Sequence, residues 1–326
     1  MQKSLPEAAQ GNSTTMVERF PYRGWNNTYK LSNHVVELIV LADVGPRIIF
    51  YGFRNGENLL HEVVEDAGKT GGSEFRLYGG HRLWVSPEVE RTYYPDNVSV
   101  LVSQCGNATR FTAPLEELPP GTRLQKELEI KLAERGSEVR ITHRVTNHDE
   151  HSTILAPWSP TMMRAGGRTI LPLSPRIAMD KDHYSPAGVF GIWSFTDFMD
   201  SRWVLGTSYI QLQQLASPSG RFKEQMGGIY NSAGWGAYFS RDQLFVKRAA
   251  VITGAAYPDF GCNFEMFTNL DFIELETLGP LIELRPGEMV EHIERWWLFA
   301  GVPGGENDAW IDSAVVPLVQ QTASSE

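Results

Sequence analysis

Apolar and polar residues alternate with a period of two along most of the chain, most tellingly in Phe272-Ile273-Glu274-Leu275-Glu276-Thr277. Successive side chains of an extended strand leave by opposite faces, so Ile273 and Leu275 share one face and Glu274 and Glu276 the other. The apolar face is ordinary for a strand packed on one side. The two acids have two readings. On a face open to water they are a solvated surface; in a cleft they are acid–base groups, because a charge is costly to bury unless it is paired. Similar strand-like runs occupy 35–41, 47–53, 98–104, 109–111, 124–132, 138–146, 154–157, 169–173, 203–205, 210–215, 235–239, 244–250 and 263–267. Turn chemistry separates them, as at Asp43-Val44-Gly45-Pro46 and Arg54-Asn55-Gly56-Glu57. Only 308–318 suggests a helix. Many short strands without alternating helices predict an all-β protein, a large antiparallel β-sandwich or a barrel. The expected organisation is a flexible tail over 1–16, one domain over 17–317, and a polar tail over 318–326.

Composition narrows the function. The 326 residues carry 29 basic and 39 acidic side chains, a formal net charge of −10, with no run of Lys or Arg. Nucleic acid is not an expected partner. No stretch is long and apolar enough for a membrane span, and the first residues lack the apolar middle of a signal peptide. The expectation is a cytoplasmic protein. Two cysteines, Cys105 and Cys262, make neither a disulfide framework nor a metal quartet. The spacing of Asp180, Asp182 and His183 fits no metal template, so no cofactor and no metal are expected.

The second informative stretch is Gly79-Gly80-His81-Arg82-Leu83-Trp84-Val85-Ser86-Pro87-Glu88. Paired glycines permit positive φ and a close approach of backbone to a ligand. An imidazole, a guanidinium fork, an indole and a carboxyl follow at once, a mixture suited to acid–base chemistry and to binding hydroxyls. The plainer reading is a turn before an ordinary strand, with His81 exposed and Arg82 paired to Glu88 or Glu90. Trp158 is either a core residue or an aromatic platform. Lys223 is either a ligand anchor or a solvated loop charge. Glu265 lies on the polar face of its strand, opposite Phe264 and Met266, and is either surface or a continuation of the Glu274–Glu276 face. His148 and His151 read as members of an exposed acidic turn.

Leu275-Glu276-Thr277, followed by Leu284-Arg285-Pro286-Gly287-Glu288, His292 and Trp296-Trp297-Leu298-Phe299, resembles the C-terminal signature of the galactose mutarotase (aldose 1-epimerase) superfamily. Arg47-Ile48 and Asn58-Leu59-Leu60 resemble its opening. The order Gly-Gly-His-Arg-Leu-Trp looks closer to an uncharacterised bacterial branch. The resemblance implies a β-sandwich with a sugar-binding face, a mono- or oligosaccharide ligand, Glu276 as catalytic base and His81 as a catalytic histidine. Taken with the residues' own chemistry, the candidate substrate contacts are Arg82, Trp84, Glu88, Trp158, Lys223, Glu265 and Glu274. Trp158 stands where mutarotases keep the histidine that acts as acid. Three activities stay open: anomer interconversion, sugar binding without catalysis, and, from the spacing of Glu274 and Glu276 as a carboxyl pair, that of a glycosidase or polysaccharide lyase.

Overall fold

The computed structural model describes residues 15–118 and 122–323. Four antiparallel strands, Met16–Tyr22, Trp25–Ser32, Val36–Leu41 and Arg47–Phe53, open the chain as a meander. A front sheet follows, in the order Phe190–Ile192, Gln225–Ile229, Phe264–Thr268, Ile273–Leu278, Thr153–Met163 and Ile282–Leu284. The short strand Trp84–Ser86 also pairs with Thr153–Met163. His81 joins the meander to this sheet, bridging Ile48 on one side and Thr161 on the other.

The back sheet has eleven strands. Its centre runs Trp235–Ser240, Gln243–Ala249, Met289–Ala300, Val139–Asn147 and Thr122–Leu132, all antiparallel. Front, back and meander share one core, to which Leu38, Ile48, Ile141, Phe245, Phe264 and Leu275 contribute. Each such fully buried side chain contributes about 1.5–3 kcal/mol relative to exposure. The antiparallel β-sandwich read from the sequence is the observed architecture. No helix among the described residues is long and apolar enough to cross a membrane.

Several boundaries differ from the sequence reading. Thr153–Met163 continues through Pro157 and Pro160, where the sequence suggested a stop. Prolines cannot donate to a ladder, yet both carbonyls still accept, Pro157 O from Gly279 N at 2.8 Å and Pro160 O from Arg82 N at 3.3 Å. The polar tail expected from residue 318 begins inside the helical segment that runs from Asp308 to Gln321. Trp310, Ile311, Val315 and Val319 of that segment pack on Phe239, Leu244 and Val246 of the back sheet. Met16 already opens the first strand; residues 1–14 and 324–326 of the expected tails lie outside the described residues.

Candidate functional site

The turn ahead of His81 decides what faces where. Gly79 and Gly80 have φ of +102° and +71°. A Cβ on Gly79 would stand 2.2 Å from His61 O, and one on Gly80 2.1 Å from Ile48 O. The glycines therefore serve the close approach of backbone to backbone, not the approach of a ligand. His81 leaves this turn toward the core. Strand alternation then sends Arg82 and Trp84 out and Leu83 and Val85 in, and the latter two join the core.

On the outer face of the front sheet, Glu276 lies opposite Glu265 on one neighbouring strand and opposite Pro160 on the other. Glu274 is two residues away on the same face. Trp158 Nε1 donates to Glu276 Oε2 at 2.5 Å. The Trp158 and Trp84 rings meet edge to face at 5.0 Å, and the Arg82 guanidinium stacks 3.7 Å from the Trp84 ring centre. Phe75 and Tyr93 contact Trp84, and the Tyr93 hydroxyl donates to exposed Glu88 at the rim. Arg82, Glu265, Glu274 and Glu276 are all buried. Arg82 Nε and Nη1, Glu265 Oε1 and Glu274 Oε1 nevertheless have no protein hydrogen-bond partner. An unpaired buried polar atom costs about 1–3 kcal/mol, more when charged, so these atoms call for hydrogen-bond partners, whether water or a ligand.

Burial sets the charge state of this row. It pushes Glu274 up to about 7, with Arg82 pulling the other way. Glu276 is raised well above the ordinary carboxyl range by burial and by Glu274, partly offset by the Trp158 hydrogen bond. Burial, Glu276 and Asp259 do the same to Glu265. Burial also lowers Arg82 to about 10. Burial thus biases the carboxyls of the row toward their protonated forms, with Glu274 near its midpoint at neutral pH, side by side with a guanidinium.

On the inner face, Thr277 of the same strand meets a second polar cluster. Glu294 Oε1 accepts from Lys247 Nζ at 2.8 Å and from the Thr277 hydroxyl at 2.5 Å; Oε2 accepts from Trp296 Nε1 at 2.8 Å. Lys247 Nζ also donates across the sandwich to Ser159 O and Leu275 O, both at 3.0 Å. The hydrogen bonds fix the imidazole tautomers. The carbonyl of His292 can only accept, so His143 Nδ1 carries a proton and donates to it at 2.9 Å. His143 Nε2 then accepts from His81 Nε2 at 2.7 Å, and His81 Nδ1 accepts from Thr161 Oγ1 at 2.8 Å. His292 Nε2 donates to Thr277 Oγ1 at 2.7 Å. Burial lowers all three imidazoles, His292 to about 3. Burial alone would raise Glu294, but Lys247 and the imidazoles hold it well below the carboxyl range. Ligand-type atoms of His81, His143 and Glu294 lie within 4.8 Å of one another. They are already bonded among themselves and to Lys247, which makes the cluster a neutral, self-satisfied network rather than a cation site.

The sequence-predicted residues therefore divide. Arg82, Trp84, Trp158, Glu265, Glu274 and Glu276 come together, with Glu88 at their rim. His81 does not join them; it lies on the opposite face of the sheet, because the strand places neighbouring residues on opposite sides. Lys223 is exposed on a loop, where its carbonyl rather than its ammonium is engaged, by Arg202 Nη1 at 2.6 Å. His148 and His151 are exposed, as expected. Lys247, Glu294 and His143 were missed. Their signal was a charged or imidazole residue at an apolar-phase position, Lys247 in phase with Phe245 and Glu294 in phase with Trp296 and Leu298.

The chain matches no protein-family model and no curated protein. Solved structures do match. A galactose mutarotase-like protein from Lactobacillus casei ATCC 334 aligns over 84% of this chain and 100% of its own, with a TM-score of 0.52 at 11% identity. A protein provisionally named an aldose 1-epimerase, from Escherichia coli K12, aligns over 84% of this chain and 99% of its own, with a TM-score of 0.51 at 16% identity. A TPR-domain containing protein from Parabacteroides distasonis ATCC 8503 reaches a TM-score of 0.54 at 15% identity, over 85% of this chain but 48% of its own. The all-β sandwich is thus of a known class. Its fold is that of the galactose mutarotase-like proteins, as the sequence motifs indicated.

Proposed function

We propose that the outer face of the front sheet binds a pyranose sugar and interconverts its anomers. The observation that carries this reading is the buried row of Glu265, Glu274, Glu276 and Arg82, with unpartnered donors and acceptors beside two indole rings. Hydroxyls that both donate and accept match such a row, and an aromatic face suits the C–H face of a sugar ring. Glu274, near its midpoint at neutral pH, takes the proton from the anomeric hydroxyl. Glu276, held protonated, gives its proton to the ring oxygen. The bond from the anomeric carbon to the ring oxygen breaks, a carbonyl forms, its face turns, and the same two proton transfers run backward on closure. Arg82 holds a neighbouring hydroxyl. These roles differ from the sequence expectation of Glu276 as base and His81 as partner, because His81 faces the other way.

The test is proton NMR of the anomeric region with freshly dissolved α-glucose, α-galactose and other pyranoses. Exchange faster than the uncatalysed rate is expected, and Glu276→Gln is expected to slow it by about 10² or more, the usual contribution of one acid–base group. Near-wild-type turnover in that variant would remove Glu276 from the mechanism. One observation supports a second reading, binding without catalysis: His81, His143 and His292 all serve the inner face, and the sequence resemblance expects the acid histidine at the position that Trp158 fills. That reading predicts saturable sugar binding with no anomer exchange.

A further inference from the structure

The outer face of the back sheet carries an arrangement that the sugar site does not use. Lys131, Arg140, Arg295 and Arg248 lie directly opposite one another on four consecutive strands. With neighbouring strands about 4.8 Å apart, the row spans roughly 14 Å. Like charges placed directly opposite on a sheet are destabilising, and the chain as a whole is acidic, at −10. Another row on the same face shows the usual remedy. There Arg144 pairs with Glu291 at 2.7 Å and with Glu129 at 3.0 Å, and Arg110 adds a bond to Glu129 at 2.6 Å.

The cationic row has no such balance. Its acid is Glu138, which takes two bonds from Arg295, at 2.9 and 2.5 Å. Arg248 donates to Thr322 Oγ1 at 2.5 Å and Val319 O at 3.0 Å, holding the end of the C-terminal helix. Lys131 and Arg140 are exposed and enter no ion pair among the described residues. All four cations line a groove of about 820 Å³. Small residues, among them Ala133, Ser232, Gly234 and Ala323, form much of the rest of its wall.

We propose that this groove binds a small polyanion, a ligand carrying two or more oxyanion groups in a row. Guanidinium forks take phosphate or carboxylate oxygens two at a time, and a lysine adds a mobile point charge. A single oxyanion would meet two cations of the row; a chain of them would meet all four. The inference does not rest on the sugar-site reading, since the two sites lie on opposite outer faces of the sandwich.

The test is isothermal titration calorimetry of the full chain at low ionic strength, with tripolyphosphate, inorganic phosphate and trigalacturonate as probes. Saturable binding of tripolyphosphate or trigalacturonate is expected, tighter than that of inorganic phosphate and weakening as salt is added. Whichever of the two binds identifies phosphate or carboxylate as the anion. Lys131→Ala with Arg140→Ala removes two exposed cations and should lower the affinity by roughly tenfold or more. Arg144→Ala, in the balanced row, should leave it unchanged. No saturable heat with either polyanion, or equal affinity in the Lys131/Arg140 variant, overturns the proposal. Binding that appears only after residues 324–326 are removed also overturns it, since the chain itself would then be the occupant. Anomer exchange in the same variant reports on the sugar site separately, and is expected to be unaltered.

Discussion

Thr277 and Glu276 are adjacent in one strand, and the polar groups around them behave in opposite ways. Around Thr277, both ring nitrogens of His81 and His143 and Nε2 of His292 find partners, Glu294 is shared among Lys247, Thr277 and Trp296, and Ser159 Oγ is left without one. Around Glu276, Arg82, Glu265 and Glu274 keep buried atoms with no protein partner. The two clusters are equally buried, so burial alone does not mark a binding site. What differs is the charge left open: the inner ion pair closes on itself, Lys247 to Glu294, whereas on the outer face a guanidinium and two carboxyls keep unpaired atoms.

The largest effect should come from the inner cluster. Glu294→Ala leaves Lys247 buried without its counter-charge, and breaking a buried pair in this way costs about 3–5 kcal/mol. Urea unfolding measures it; a loss under about 1 kcal/mol would mean the network is not structural. The corresponding outer change, Glu274→Gln, should leave stability at neutral pH equal or higher, because it removes a carboxyl whose ionisation burial opposes. A large destabilisation there would erase the contrast between the faces.

The pH dependences should also oppose each other. Glu274 has an ordinary value of 4.5 and a folded one of about 7. Its contribution is complete below 4.5 and fades as pH rises toward 7, since the unfolded chain releases a proton that the fold retains. His292 has an ordinary value of 6.5 and a folded one of about 3. It is neutral in both states above 6.5, and the fold weakens as pH falls from 6.5 toward 3, since the unfolded chain takes the proton first. Unfolding free energies followed from pH 4 upward, in wild type, Glu274→Gln and His292→Gln, should show each variant losing one of these two slopes. If neither slope changes, the charge states drawn here are wrong. The smallest effect is that of Trp158→Phe, which deletes one hydrogen bond to Glu276, of the order of 1 kcal/mol. That bond lowers Glu276, so the variant's pH–rate profile should move upward, and a profile that stays in place would make Trp158 a packing residue.

The period-two pattern was enough to read the sandwich and the outward row of Glu274 and Glu276, because alternation is a local property. Arg82 and Trp84 were named for the crowding of reactive types after Gly79-Gly80, and their shared phase is what puts both on the outer face. His81 was misassigned because crowding of reactive types in sequence was taken as crowding in space, whereas one residue along a strand is the full thickness of the sheet. Glu265 needed the pairing of two strands, which its own alternation does not contain. Lys247 and Glu294 are 47 residues apart, and only the antiparallel register of their strands brings them together. The first strand and the continuation through Pro157 and Pro160 were hidden by polar or proline-containing sequence that tertiary pairing overrides.

Lys247 reaches from the back sheet to the carbonyls of Ser159 and Leu275, on the two strands that carry Trp158 and Glu276. The floor of the outer face is therefore riveted to the opposite layer by a buried lysine, whose charge Glu294 balances within the back sheet. In hydrogen-exchange terms, the amides of Ile273–Leu278 are expected in the slowest class, opening only when the whole sandwich opens. The rim segment around Glu88 and Tyr93 is held by lighter bonds, Thr92 Oγ1 to Val85 O at 3.2 Å and Arg91 to Thr153 Oγ1 and Ile154 O at 3.3 Å, and is expected to exchange faster. For the binding site proposed above, entry and exit are then expected to be timed by that rim, over a floor whose geometry stays fixed from one encounter to the next.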